Sequence, residues 1–137
     1  MTSKLVYNGD LHTTARHQHS GTVLETDAPV DNQGKGERFS PTDLVATSLG
    51  SCMLTTMGIA ARDKKIDLKD TSATIEKIMA SSPRRISQIN VHIDFPKNPG
   101  LAREDRDWLE RVALNCPVAK SLRSGLVQSV TFDWHTD

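Results

Sequence analysis

The sequence has no surplus of either charge: Lys plus Arg and Asp plus Glu number 17 each. No basic run exceeds two residues, so the electrostatic footprint of a nucleic-acid binder is absent and no such partner is expected. Cysteine is nearly absent as well, with two in 137 residues, which excludes a disulfide-stapled scaffold. Met1 to Gly9 lacks the apolar core of a secretory signal. Together these absences point to the cytoplasm, where a disulfide would be catalytic or sensing rather than structural. No glycine-rich phosphate loop follows a strand, which argues against nucleotide binding. No His-Glu-x-x-His or Cys-x-x-Cys occurs either. His17 and His19 share a face if extended, with His12 nearby, but they lack a third ligand in register. They read as surface histidines beside a turn, and no metal or bound cofactor is expected. There is no internal repeat and no low-complexity tract.

Long hydrophobic runs are missing with one qualified exception. Leu44 to Ala61 contains no charged residue and is about long enough to span a bilayer. Thr47, Ser48, Gly50, Ser51, Thr55, Thr56 and Gly58 make it too polar for lipid, so no membrane association is expected. It reads instead as the buried core helix of a globular protein. At 137 residues the chain forms one domain, residues 1–137, large enough for a real core but short of material to cover such a helix on every side. A second copy of the chain is the expected cover.

What is present has a clear order. Leu5-Val6-Tyr7 and Asp10-Leu11-His12-Thr13 flank Asn8-Gly9, which suits a two-residue type I′ hairpin turn. Thr22 to Thr26 reads as a third strand, and Asp27 to Phe39 as a polar loop. Ser40 caps a helix with Pro41 at its first position and Asp43 in its first turn, running to about Arg62. Strands follow at Ala73–Met79 and Ile86–Phe95. The second alternates Ile89, Val91, Ile93 and Phe95 with polar residues, which is the half-buried pattern. Pro96 to Gly100 reads as a loop. Ala102 to Leu114 is a helix with an apolar stripe of Trp108, Leu109, Val112 and Ala113. Val118 to Leu122 is a short helix that Gly125 ends, and Val130, Phe132 and Trp134 alternate in a last strand. Hairpin-rich strands beside a few helices indicate an α+β fold rather than a doubly wound parallel sheet.

The chemistry rests on the two cysteines. Cys52 sits in Thr47-Ser48-Leu49-Gly50-Ser51-Cys52-Met53-Leu54, within the uncharged helix. Cys116 precedes Pro117 at a helix start. Proline suits that first position, and a thiol there feels the positive end of the helix, which favours thiolate. By this argument Cys116 is the more acidic thiol. Two unrelated core cysteines are the plainer alternative, because free cysteine is among the most buried residue types.

Phe39-Ser40-Pro41-Thr42-Asp43-Leu44-Val45-Ala46-Thr47-Ser48-Leu49-Gly50-Ser51-Cys52 resembles the signature of the OsmC/Ohr family, the osmotically inducible and organic hydroperoxide resistance proteins. Asn115-Cys116-Pro117-Val118-Ala119-Lys120-Ser121-Leu122 resembles the second cysteine motif of that family, and the element order matches across essentially the whole chain. The resemblance implies an intertwined α+β homodimer with antiparallel sheets packed around two long central helices. It implies a thiol-dependent peroxidase that reduces organic hydroperoxides, with Cys52 peroxidatic and Cys116 resolving, and an external dithiol as reductant. It also implies a salt bridge of glutamate and arginine over the peroxidatic thiol. The glutamate position holds Thr42 here and the acid stands one place later, at Asp43, as in related branches. Arg38 and Arg16 are the candidate arginines, with Arg38 ranked first. The displaced acid leaves a second expectation, a redox sensor or binder of small apolar molecules on the same fold without peroxidase activity.

Overall fold

The computed structural model describes residues 1–96 and 100–136; most of the expected loop from Pro96 to Gly100, residues 97–99, lies outside the described residues. The chain divides into two compact units, Met1–Val45 and Ala46–Asp137.

The first unit is an antiparallel sheet of β1 (Ser3–Gly9), β2 (His12–His17) and β3 (Val23–Asp27), in that order. The hairpin turn differs from the one expected at Asn8-Gly9. Its two central residues are Asp10 and Leu11, both with positive φ (52° and 59°), and Gly9 pairs with His12. A two-residue type I′ turn needs positive φ at both central positions. Asn8 is left over as an extra residue between Tyr7 and Gly9, and Gly9, at φ 85°, supplies the left-handed backbone of that bulge. After β3 a single 3₁₀ turn, Val30–Asn32, interrupts the loop expected to be without structure.

Helix α1 (Pro41–Asp63) begins where the sequence places it. The Asp43 backbone N–H donates to Ser40 Oγ (3.0 Å), and the Ser40 N–H donates to Asp43 Oδ2 (3.0 Å). This reciprocal pair is a capping box and satisfies two donors that the helix end leaves open. Pro41 fits beside it because its missing N–H would have had no helical partner.

The second unit holds the core. Strands β4 (Ser72–Ala80), β5 (Arg85–Asp94) and β6 (Val127–Asp133) form one sheet in that order. β4 and β5 are antiparallel, as expected, but β6 runs parallel to β5, so the sheets are not all antiparallel. The reason is the connection: α2 (Arg103–Leu114) and α3 (Pro117–Ser121) lie between β5 and β6, and a crossover of that length returns the chain in the same direction. Ile89, Val91, Ile93 and Phe95 are buried on one face of the sheet, as the alternation predicts. They join Leu49, Met53 and Met57 of α1, and Leu109 and Ala113 of α2, in one buried cluster. Each such large apolar side chain contributes about 1.5–3 kcal/mol by leaving water. Gly50 faces β4: a Cβ built on it would run into Cδ1 of Ile75.

α1 is long and apolar enough to cross a membrane, and 33% of its most apolar 18-residue window is buried within the chain. The expectation of a helix covered on every side is therefore met on one face only. Ala46, Leu49, Gly50, Met53, Met57 and Ala61 form the buried face, while Ser48, Ser51, Thr55 and Ile59 form an exposed line spaced at helical intervals.

Candidate active site

Cys52 occupies the middle of α1, and Cys116 is the residue immediately before α3. The local sequence explains the second placement. Asn115 and Cys116 end α2 with N–H groups that donate to the carbonyls of Val112 and Ala113 (both 3.2 Å), and Pro117 starts the next helix. Cys116 is fully buried, with 0% of its surface exposed, whereas Cys52 is half-buried against the same cluster. The fold thus brings together two thiols that are far apart in the sequence. They are unbonded cysteines, and each shifts the other's ionisation, Cys116 lowering Cys52 and Cys52 raising Cys116.

Their ionisation runs opposite to the argument from the helix end. Burial acts most strongly on both. At Cys52 it pushes the thiol up, but the Val118 N–H, the Cys116 thiol and the Thr56 hydroxyl all stabilise the thiolate, and the net movement is below the ordinary value of 9.0. At Cys116 burial pushes the thiol up, the Ala119 N–H offsets this in part, and the neighbouring Cys52 sulfur raises it further. So the amides at the head of α3 do favour thiolate, as a helix N-terminus should. The Ala119 and Val118 amides act on Cys116, where burial and the Cys52 sulfur outweigh them, and the Val118 amide also acts on Cys52, which reaches it from another element. Cys116 is correspondingly not the low-pKa thiol of the pair.

The residues that complete this environment were not legible as a motif. Thr56 lies one turn beyond Cys52, with its Oγ1 3.9 Å from the sulfur. That i, i+4 spacing on an established helix is the one signal that could have singled it out. Val118 acts through its backbone, and only the Pro117 helix start hints at it.

The charged candidates stand in the first unit. Asp43 is engaged in the capping box with Ser40. Arg38 donates from Nε to Glu25 Oε2 (3.4 Å) and from a terminal nitrogen to the Glu37 carbonyl (3.0 Å). Arg16 reaches the Gly21 carbonyl at 3.5 Å. Beside Arg38, His12 bridges two acids, with Nδ1 2.6 Å from Asp27 Oδ1 and Nε2 3.2 Å from Glu25 Oε1. The Asp27 hydrogen bond holds the His12 imidazole above 6.5, against a smaller opposing effect of burial. His17 bonds Ser20 Oγ through Nδ1 (2.7 Å), and its ring meets His19 edge-on at 6.5 Å between centroids.

Comparison with known proteins gives the family and the fold. No match is found among curated proteins. Among solved structures, a Psychrobacter arcticus protein named for osmotic stress induction and a detoxification response is 50% identical, with a TM-score of 0.92 over 97% of this chain and 96% of that one. An organic hydroperoxide resistance protein OsmC from Legionella pneumophila is 20% identical, with a TM-score of 0.75 over 97% of each chain. An organic hydroperoxide resistance protein from Elizabethkingia anophelis is 16% identical, with a TM-score of 0.74 over 98% of this chain and 96% of that one. The latter two share the fold. The family described as OsmC-like protein matches residues 34–131, which takes in both cysteine segments, and the chain belongs to that family.

Proposed function

We propose that the protein is a thiol-dependent peroxidase that reduces organic hydroperoxides, with Cys52 as the attacking thiolate and Cys116 as the resolving thiol. The observation that carries this reading is the paired sulfurs, of which the more accessible is pushed towards thiolate and the buried one is kept protonated. The thiolate is the nucleophile in such chemistry. Cys52 sulfur attacks the distal peroxide oxygen, the O–O bond breaks, and the alkoxide leaves with a proton as the alcohol. Cys52 is then a sulfenic acid. Cys116 sulfur attacks the Cys52 sulfur, its proton leaves with the hydroxyl as water, and a disulfide forms. An external dithiol reduces that disulfide and closes the cycle. The apolar surroundings of Cys52 favour a greasy hydroperoxide over hydrogen peroxide. In this reading Asp43 and one of Arg38 or Arg16 set the charge around the reacting thiol.

The active form in this proposal is a cytoplasmic homodimer. The exposed line of Ser48, Ser51, Thr55 and Ile59 on an uncharged helix supports a second copy as its cover. Leu5, Tyr7 and Leu24, exposed on one face of the first sheet, support it further. Light scattering that reads a folded species of 15.1 kDa would remove the dimer from the account.

One observation favours a second reading. Arg38 is held by Glu25 and the Glu37 carbonyl, and Asp43 by the helix cap, so both have structural employment. A redox sensor or binder of small apolar molecules would need the thiol pair or the apolar helix without a catalytic cation. Thiol counting before and after one equivalent of cumene hydroperoxide separates the peroxidase from a binder, and repeated turnover of excess peroxide with a dithiol separates it from a sensor. The peroxidase loses both thiols and releases cumyl alcohol. Retention of both thiols with the peroxide intact leaves the binder.

A further inference from the structure

Strand β5 carries a second group of reactive side chains on the face opposite its buried residues. His92 and Asp94 are two apart and alternate with buried Val91, Ile93 and Phe95, so they point away from the core. The parallel register with β6 sets Asp94 beside Asp133 and His92 beside Thr131. One ligand atom from each of His92, Asp94 and Asp133 lies within 4.8 Å of the other two. His135 closes the group: its Nε2 is 2.8 Å from Asp94 Oδ1, its Nδ1 is 3.6 Å from Asp133 Oδ1, and its backbone N–H donates to Asp133 Oδ1 at 2.9 Å.

We propose that His92, Asp94, Asp133 and His135 form a binding site for a divalent transition-metal ion of the zinc class. Two imidazoles and two carboxylates are a nitrogen and oxygen donor set suited to zinc, cobalt or nickel, and poorly suited to calcium or magnesium, which prefer oxygen alone. Metal-to-ligand distances of about 2.0–2.2 Å place neighbouring donors roughly 3.5 Å apart, and the ligand atoms of His92, Asp94 and Asp133 already lie within 4.8 Å of one another. His92 already has an outer partner of the kind that orients metal-binding imidazoles, since its Nδ1 is 2.7 Å from the Thr131 hydroxyl. That leaves Nε2 to meet the ion. At His135 the ion replaces Asp94 as the partner of Nε2.

The group is built on rigid parts. Trp134, between Asp133 and His135, stacks on Phe95 with centroids 3.5 Å apart and planes within 5°. Its indole N–H donates to Glu110 Oε1 at 2.8 Å. The Phe95 N–H donates to the Asp133 carbonyl at 3.0 Å, which ties the ends of β5 and β6 together. His135 has a positive φ of 53°. Two adjacent carboxylates on neighbouring strands repel each other, and a shared cation converts that repulsion into attraction. The site lies outside the thiol chemistry: Cys116 is fully buried, while the four ligands stand on the solvent side of the sheet. The bound ion would clip the segment after β6 to β5.

The test is equilibrium dialysis of the untagged full chain against zinc at pH 7.5, with cobalt absorption as a second readout. Wild-type protein and Cys52→Ser are expected to bind one zinc per chain with the same affinity. Asp133→Asn, which is isosteric, and His135→Ala are expected to bind at least about tenfold more weakly. Zinc is expected to raise the melting temperature of the wild type and not that of Asp133→Asn, which also shows that the variant folds. Absence of saturable binding to the wild type overturns the proposal. So does binding that is lost in Cys52→Ser and retained in Asp133→Asn and His135→Ala, because the thiols would then hold the metal.

Discussion

Cys116 and Cys52 act on each other in opposite directions: beside the larger effects of burial and the α3 amides, the Cys116 thiol helps hold Cys52 below the ordinary thiol range, and the Cys52 sulfur pushes Cys116 above it. One buried proton thus serves both halves of the proposed cycle. While it stays on Cys116 it stabilises the Cys52 thiolate, and it leaves only when Cys116 attacks.

That relationship predicts a difference between two small substitutions. Cys116→Ala removes the donor, and Cys116→Ser keeps one. The midpoint of Cys52 alkylation against pH should therefore rise towards 9.0 in the alanine variant and stay lower in the serine variant. Mass spectrometry after timed iodoacetamide pulses reads this directly. Identical profiles for the two variants would show that the Val118 amide and Thr56 carry the effect without Cys116.

The helix cap and the proposed charge role of Asp43 can be separated. Ser40→Ala loses the cap and should cost about 1 kcal/mol in denaturant unfolding. It should leave the Cys52 alkylation profile in place. Of Asp43→Asn, Arg38→Ala and Arg16→Ala, at least one should move that profile by more than about half a pH unit, roughly 0.7 kcal/mol. If none does, the salt-bridge part of the functional proposal fails while the thiol pair stands.

Gly50 and Ile75 should be coupled. Gly50→Ala gains helix propensity of up to about 1 kcal/mol but drives a methyl group against Ile75 Cδ1. Ile75→Val removes that carbon at a cost of about 0.5–1.5 kcal/mol alone. In the double variant the costs should not add, with a coupling of about 0.5–3 kcal/mol in the stabilising direction. Additive unfolding energies would mean that α1 and β4 are not in the contact described.

The His12–Asp27 bridge predicts a pH window. The folded His12 imidazole titrates above its unfolded value of 6.5, so its contribution is complete below that pH and fades as pH rises through the folded value. The folded Asp27 carboxyl titrates below 3.8, mainly through its hydrogen bond to His12, so its contribution fades as pH falls through that lower value. The pair should stabilise the first unit most between pH 3.8 and 6.5. Asp27→Asn should lower the His12 midpoint, read from its ring proton resonances in NMR, and an unchanged midpoint would contradict the bridge.

Much of this architecture can be read in the chain because it rests on local rules. The Ser40-Pro41-Asp43 start of α1, the alternation from Ile89 to Phe95, and Pro117 at the head of α3 each depend on neighbours within a few residues. The hairpin turn moved to Asp10-Leu11 because a bulge at Asn8 changes the register, and register belongs to the pair of strands rather than to either. The parallel pairing of β6 and the acidity of Cys52 are less accessible still. The first depends on the crossover through α2 and α3, and the second on the Val118 backbone amide, a group every residue but proline possesses. The metal-ligand cluster likewise appears only when Asp94 and Asp133 come into register across two strands.

The central claim is that Cys52 attacks and Cys116 resolves. Full-length Cys116→Ser and Cys52→Ser should each be treated with one equivalent of cumene hydroperoxide in the presence of dimedone and analysed by peptide mass spectrometry. The account predicts peroxide consumption and a dimedone adduct on Cys52 in Cys116→Ser, and neither consumption above background nor an adduct in Cys52→Ser. An adduct on Cys116 in Cys52→Ser, with none on Cys52 in Cys116→Ser, would reverse the two roles and contradict it.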